Sequence, residues 1–183
     1  MGKHAYKILN RSHKESNPYC FPASVFVVGC LTGSLVGGYQ CDLLGRRWSM
    51  MVDCLCMAIS FLAISLAPTT TVLLLGRFLG GHCAASNLVS TPIFVSEISH
   101  PDIRGTTSVL TMSCYTTGFF LSMLGGAVMP WRIATGVFMV TPLLSTILLL
   151  FVHESPTWLL RNGRKEQAVE AMFFYRGDMD TVK

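Results

Sequence analysis

Five apolar runs, roughly residues 21–40, 48–67, 71–95, 105–128 and 133–152, limit what this chain can fold into. Each approaches the ~20 residues that cross a ~30 Å hydrocarbon layer at ~1.5 Å per residue. The runs lack the two-residue alternation of a half-buried strand and are too long for one. A buried helix of a water-soluble domain is shorter and keeps a polar face. The expected fold class is therefore an all-α membrane protein with five transmembrane helices. Composition agrees, with 51% hydrophobic and 13% charged residues, where a soluble domain carries roughly 25% charged.

The connections fit the same reading. Ala67-Pro68-Thr69-Thr70 and Met129-Pro130-Trp131-Arg132 are short turns, and Trp48 and Trp131 stand at span ends, where an indole keeps its N–H wet. Arg46, Arg47, Arg104, Arg161, Arg164, Lys165, Arg176 and Lys183 fall on one side, and, leaving out the N-terminal tail, only Arg132 on the other. That bias places the first set in the cytoplasm. A polar basic tail (1–19) is then extracellular, despite Lys3, Lys7, Arg11 and Lys14. A helical bundle (20–152) follows, and then a cytoplasmic helical linker (153–183). In the linker, Ser155-Pro156 reads as an N-cap and first helical residue, and Asn162-Gly163 as a break. A second amphipathic helix over 164–175 is expected to bury Ala168, Val169, Met172 and Phe173, with Gly177 ending it.

Several function classes fall away. The Lys and Arg residues sit at membrane flanks, so no nucleic-acid surface is expected. The seven cysteines lie in or beside apolar runs without zinc-ligand spacing, and read as small packing residues. No Ser/His/Asp set, phosphate-cradling glycine loop or metal-spaced cluster supports an enzyme, and no cofactor or metal is expected. The opening residues carry no secretory signal, and Tyr6 breaks the myristoylation pattern. Asn10-Arg11-Ser12 is a glycosylation sequon, consistent with an outside tail.

The strictest pattern joins the first two spans: Gly38-Tyr39-Gln40-Cys41-Asp42-Leu43-Leu44-Gly45-Arg46-Arg47. Positive-inside anchoring alone does not require this order of glycines, acid and arginines. It resembles the loop between the second and third helices of the major facilitator superfamily. Gly76-Arg77-Phe78-Leu79-Gly80, Pro92-Ile93-Phe94-Val95-Ser96-Glu97 with Arg104-Gly105, and His153-Glu154-Ser155-Pro156-Thr157-Trp158-Leu159-Leu160 with Gly163-Arg164 resemble stretches of its sugar porter branch. The likeness covers about residues 20–177 and is similar in flavour to insect facilitators of trehalose or hexoses.

The resemblance implies a carrier of twelve helices in two halves that works by alternating access. The five spans align with helices two to six, so the residues given are expected to form a partial N-terminal bundle, unable to transport sugar alone. The resemblance implies a cytoplasmic gating motif of Gly38, Asp42, Gly45, Arg46, Arg47, Glu97, Arg104, Gly105 and Glu154. Met112 stands where the family places a sugar-contacting glutamine, and a thioether is a poor partner for hydroxyls. Arg77, an intramembrane charge, is either a substrate- or coupling-site residue or a snorkelling one. His82 and Asn87 either line a cavity or bond between helices, and Asp53 is expected to pair with a basic neighbour. Gly29, Gly33 and Gly37, and likewise Gly76, Gly80 and Ala84, form small faces for close helix approach. The expected partners are membrane lipid, a sugar once the carrier is complete, and alternatively a full-length porter on which the chain docks without transporting. An inactive truncated product is the third reading. The expected location is multi-pass in the plasma membrane, with retention in the endoplasmic reticulum as the alternative.

Overall fold

The computed structural model describes residues 20–176, which puts Asn10, the basic tail and Gly177 outside the described residues. Every regular element among the described residues is a helix. They are α1 (Cys20–Leu44), α2 (Arg46–Ser65), α3 (Thr70–Ile98), a 3₁₀ turn (Pro101–Ile103), α4 (Arg104–Val128), α5 (Trp131–Phe138), α6 (Val140–Leu150), α7 (Pro156–Arg161) and α8 (Lys165–Arg176).

Among the described residues four stretches are long and apolar enough to cross a membrane: Phe21–Leu44, Arg46–Ser65, Thr70–Ile98 and Trp131–Leu150. The fourth expected run, α4, has the length at 25 residues, but eight of these are Ser or Thr. Its hydroxyls are satisfied by the helix itself: Thr107, Thr111, Ser113 and Thr117 each donate to the carbonyl four residues back, at 2.7–2.9 Å. Such back-bonding lets a hydroxyl-rich helix stand where water is scarce.

Two boundaries differ from expectation. The first helix does not stop at residue 40 but runs through the Gly38–Asp42 motif to Leu44. Only Gly45, with φ 95°, separates it from α2. The last run is two helices, α5 and α6, meeting at Met139. Pro142 explains the break, because its ring meets the carbonyl four residues earlier, at Phe138, and it offers no N–H to that group.

α3 is the centre of the bundle, with α1 and α2 packed against it and α5 and α6 packed on α2. Small residues set both α3 interfaces. On the α1 side, a Cβ at Gly37 would stand 2.9 Å from Ser86 Cα, and one at Gly33 would run into the His82 carbonyl. On the α2 side, Gly76 and Gly80 face Ile64 and Ser60, and Ser60 Oγ donates to the Gly76 carbonyl at 2.7 Å. Lipid is as apolar as leucine, so close backbone approach and hydrogen bonds, not the hydrophobic effect, hold such helices together. α4 buries none of its residues.

The tail folds back beneath the bundle. Gly163, at φ 74°, closes α7 in a Schellman motif: its N–H meets Leu160 O, and the Arg164 N–H meets Leu159 O at 3.0 Å. α8 then buries Ala168 and Ala171 against Trp158 and Leu159. The expected register is corrected here, since Val169 and Phe173 are exposed. The alanines can approach the Trp158 ring closely, which turns the larger side chains outward.

Candidate functional site

Gly45 is the pivot of the site. Its positive φ suits glycine, and a Cβ there would stand 2.7 Å from Glu154 Oε2. Immediately after it, Arg46 lies 5% exposed between two carboxylates. Its guanidinium is 3.2 Å from Asp42 Oδ1 and 3.1 Å from Glu97 Oε1, and it donates to the Cys41 carbonyl at 3.2 Å. The ends of α1, α2 and α3 are thus tied through one cation.

The tail completes the clasp. Ser155 Oγ donates to Glu97 Oε2, so the hydroxyl expected to cap α7 serves the charged pair instead, and α7 has no side-chain cap bond. Trp158 Nε1 donates to the Asp42 carbonyl at 3.0 Å. Glu154 Oε1 accepts from the Arg47 N–H at 2.9 Å, placing an anion at the α2 N-terminus. The Arg47 guanidinium turns the other way, to the Leu149 and Leu150 carbonyls at 2.9 Å each. Those carbonyls lie at the C-terminal end of α6, where Leu149 O also accepts a long 3.4 Å bond from the Val152 N–H, and a cation suits that negative end. Tyr175 Oη donates to the His153 carbonyl at 2.7 Å. Burial, and secondly the Glu154 charge, push the Tyr175 phenol up to about 12.

Of the residues the sequence brings forward, Asp42, Gly45, Arg46, Arg47, Glu97 and Glu154 meet in this clasp. Arg104 does not. It opens α4 after the 3₁₀ turn, is exposed, and makes no ion pair among the described residues. Gly105 is exposed, and both it and Gly38 face open space. Arg77 is half-buried in α3, with no hydrogen bond or ion pair to its guanidinium among the described residues. Met112 is 50% exposed and lines an open groove along α4 of about 540 Å³, with Ser108, Val109, Ser113, Thr116 and Thr117. His82 bonds between helices, its Nδ1 lying 3.2 Å from Thr32 Oγ1, while the Asn87 amide turns to its own helix at the Cys83 carbonyl.

Asp53 departs from expectation. Among the described residues no lysine or arginine pairs with it, and its partners are Gln40 Nε2 at 3.1 Å and Ser86 Oγ at 2.5 Å. The Ser155, Trp158 and Arg47 contacts had no sequence signal, since their partners lie 58, 116 and about 100 residues away.

Comparison with known proteins supplies the family. The sequence model for "Sugar (and other) transporter" matches residues 3–183. The facilitated trehalose transporter Tret1 of Drosophila willistoni is 32% identical over 147 residues, 80% of this chain and 17% of that protein. The facilitated trehalose transporter Tret1-2 homolog of Drosophila sechellia is 29% identical over 153 residues, 84% of this chain and 31% of the relative. The chain thus spans less than a third of the length of either relative. Among solved structures, the xylose transporter XylE from E. coli, in a partially occluded inward-open conformation, superposes with a TM-score of 0.76. It is 21% identical and is matched over 84% of this chain and 42% of its own. An inward-open conformation of the same transporter gives 0.70 at 22% identity, over 87% and 42%. The helices, their order and the family match agree: the fold is that of the solved xylose transporter, and the chain belongs to the sugar transporter family, as a multi-pass integral membrane protein.

Proposed function

We propose that this chain supplies helices of a carrier that moves trehalose or a hexose across the membrane by alternating access, with the Arg46 clasp opening and closing its basic end. The observation that carries the reading is the burial of Arg46 between carboxylates on two helices, with Ser155 on Glu97 and Trp158 on the Asp42 carbonyl. Such a knot is held only while the helix ends stay together. Rocking them apart exchanges Glu97 for water, the two-state behaviour a gate needs. Relatives named as facilitated trehalose transporters support the choice of substrate class. The carrier does no chemistry on its cargo, needs no cofactor, and works at the plasma membrane.

The described bundle leaves the α4 groove open along one side, so the chain by itself is expected not to transport. The test is uptake of labelled trehalose and glucose by liposomes holding the purified chain, beside a full-length relative. Flat uptake is expected. Saturable uptake above empty liposomes would overturn this and mean that copies assemble into a closed carrier. The open face of α4, none of whose residues is buried, favours a second reading: a non-transporting partner that docks on a full-length porter. Co-purification of the two from detergent, with flat uptake, supports it.

A further inference from the structure

Among the described residues Asp53 is the buried carboxyl that the clasp does not use. It stands on α2, roughly 10 Å along the helix from Arg46, and is 2% exposed. One oxygen accepts from Gln40 of α1 and the other from Ser86 of α3. The network continues through neutral groups: Ser90 Oγ donates to the Ser86 carbonyl at 2.8 Å, and Cys41 Sγ to Ser90 Oγ at 2.9 Å. Three helices meet at this carboxyl, and every hydrogen bond to it comes from an uncharged donor.

The titratable groups around it include no lysine or arginine among the described residues, and of them His82 alone favours a charged carboxylate. On α3 these are His82, one turn before Ser86 and bonded to Thr32, and Cys83. On α2, Cys54 is its neighbour. α1 contributes Cys41 to the network, and its Asp42 is held by Arg46. α5 and α6 carry Arg132 as their one charged side chain, and it donates to the Ala67 carbonyl beyond the far end of α2. A carboxylate taken out of water without a cation takes up a proton instead. We propose that Asp53 is a proton-binding site inside the membrane-spanning bundle, neutral while α1, α2 and α3 are packed.

The step is simple in its balance. A hydronium ion of the aqueous phase gives up one proton, its O–H bond breaking to leave water, and the proton forms the new O–H bond on one carboxylate oxygen; no other covalent bond changes. The new O–H donates to Ser86 Oγ, whose own hydrogen turns to a backbone carbonyl one turn back, as Ser90 already does with Ser86. Gln40 keeps its bond to the other oxygen. Asp53→Asn preserves this pattern, with its carbonyl toward Gln40 and its amide toward Ser86, and loses only the titration. The inference does not depend on whether the chain transports.

The test is infrared difference spectroscopy on the full chain in detergent, titrated upward from neutral pH. Wild type is expected to show the carbonyl stretch of a protonated carboxylic acid at neutral pH, giving way to carboxylate bands as pH rises. Asp53→Asn should lose the signal, and Ser86→Ala should keep it at a shifted frequency, because the O–H loses its acceptor. Ser86→Ala also decides the matter if Asp53→Asn does not fold. Absence of the signal in wild type, its survival in Asp53→Asn, or an unshifted signal in Ser86→Ala would each overturn the assignment.

Discussion

The Arg46 clasp makes unequal demands on its two carboxylates, and the inequality can be measured. The Arg46 side chain is 6% exposed and that of Glu97 15%, whereas that of Asp42 is 60% exposed. Breaking a buried pair by removing one partner costs about 3–5 kcal/mol, because the survivor is left buried and unpaired. An exposed pair is worth about 0–1 kcal/mol. Arg46→Met should therefore destabilise the bundle by about 3–5 kcal/mol, mostly through Glu97, and Asp42→Asn by less than about 1 kcal/mol. For a chain of this size, 1 kcal/mol shifts the midpoint by roughly 2–4 °C, so Arg46→Met should lower Tm by about 6–20 °C. The double variant Arg46→Met/Glu97→Gln leaves no buried charge, and the glutamine carbonyl still accepts from Ser155. It should recover most of the loss. The assay is thermal unfolding in detergent, followed by intrinsic fluorescence on monodisperse protein. If Asp42→Asn proves as damaging as Arg46→Met, or the double variant is no better than Arg46→Met alone, the charge-burial reasoning is wrong.

Other tests follow from the packing and the tail. Gly33→Ala should cost about 1–3 kcal/mol by forcing α1 from the His82 carbonyl, while Gly38→Ala, facing open space, should be neutral or stabilising by up to about 1 kcal/mol; equal losses in thermal unfolding would refute the close-approach account. Tyr175, about 10 when unfolded and about 12 when folded, binds its proton more tightly in the native state. Its contribution is complete below pH ~10 and is lost as pH rises toward ~12; ultraviolet titration of tyrosinate should show a late-ionising tyrosine missing from Tyr175→Phe. Tags on the two ends should report opposite sides of the membrane in protease-protection assays, because five crossings are odd in number, and α4 is the decisive span. Both tags on one side would mean that a run does not cross.

The sequence determined the features that lipid imposes locally. A helix in hydrocarbon must satisfy its backbone within itself and match the layer in length, so the helices and their order were legible as apolar runs. The glycine spacing likewise showed which faces of α1 and α3 come close. Gly45, Arg46 and Arg47 announced the clasp through their order along the chain. Tertiary structure decided who meets whom. Arg104 and Arg46 are equally plausible partners for Glu97 on paper. Only the packing of α1, α2 and α3 places Arg46 there and leaves Arg104 exposed at the start of α4. Ser155 reads as a cap because its neighbours are helical, yet Glu97, a buried charge 58 residues away, draws its hydroxyl instead. α8 buries alanines and not the larger Val169 and Phe173, since only small side chains fit under Trp158. Asp53 reads as one half of an ion pair until the packed helices surround it with Gln40 and Ser86, donors without charge. Such pairings depend on distances across the bundle, whereas the pattern along a chain records only what each segment must be to cross lipid.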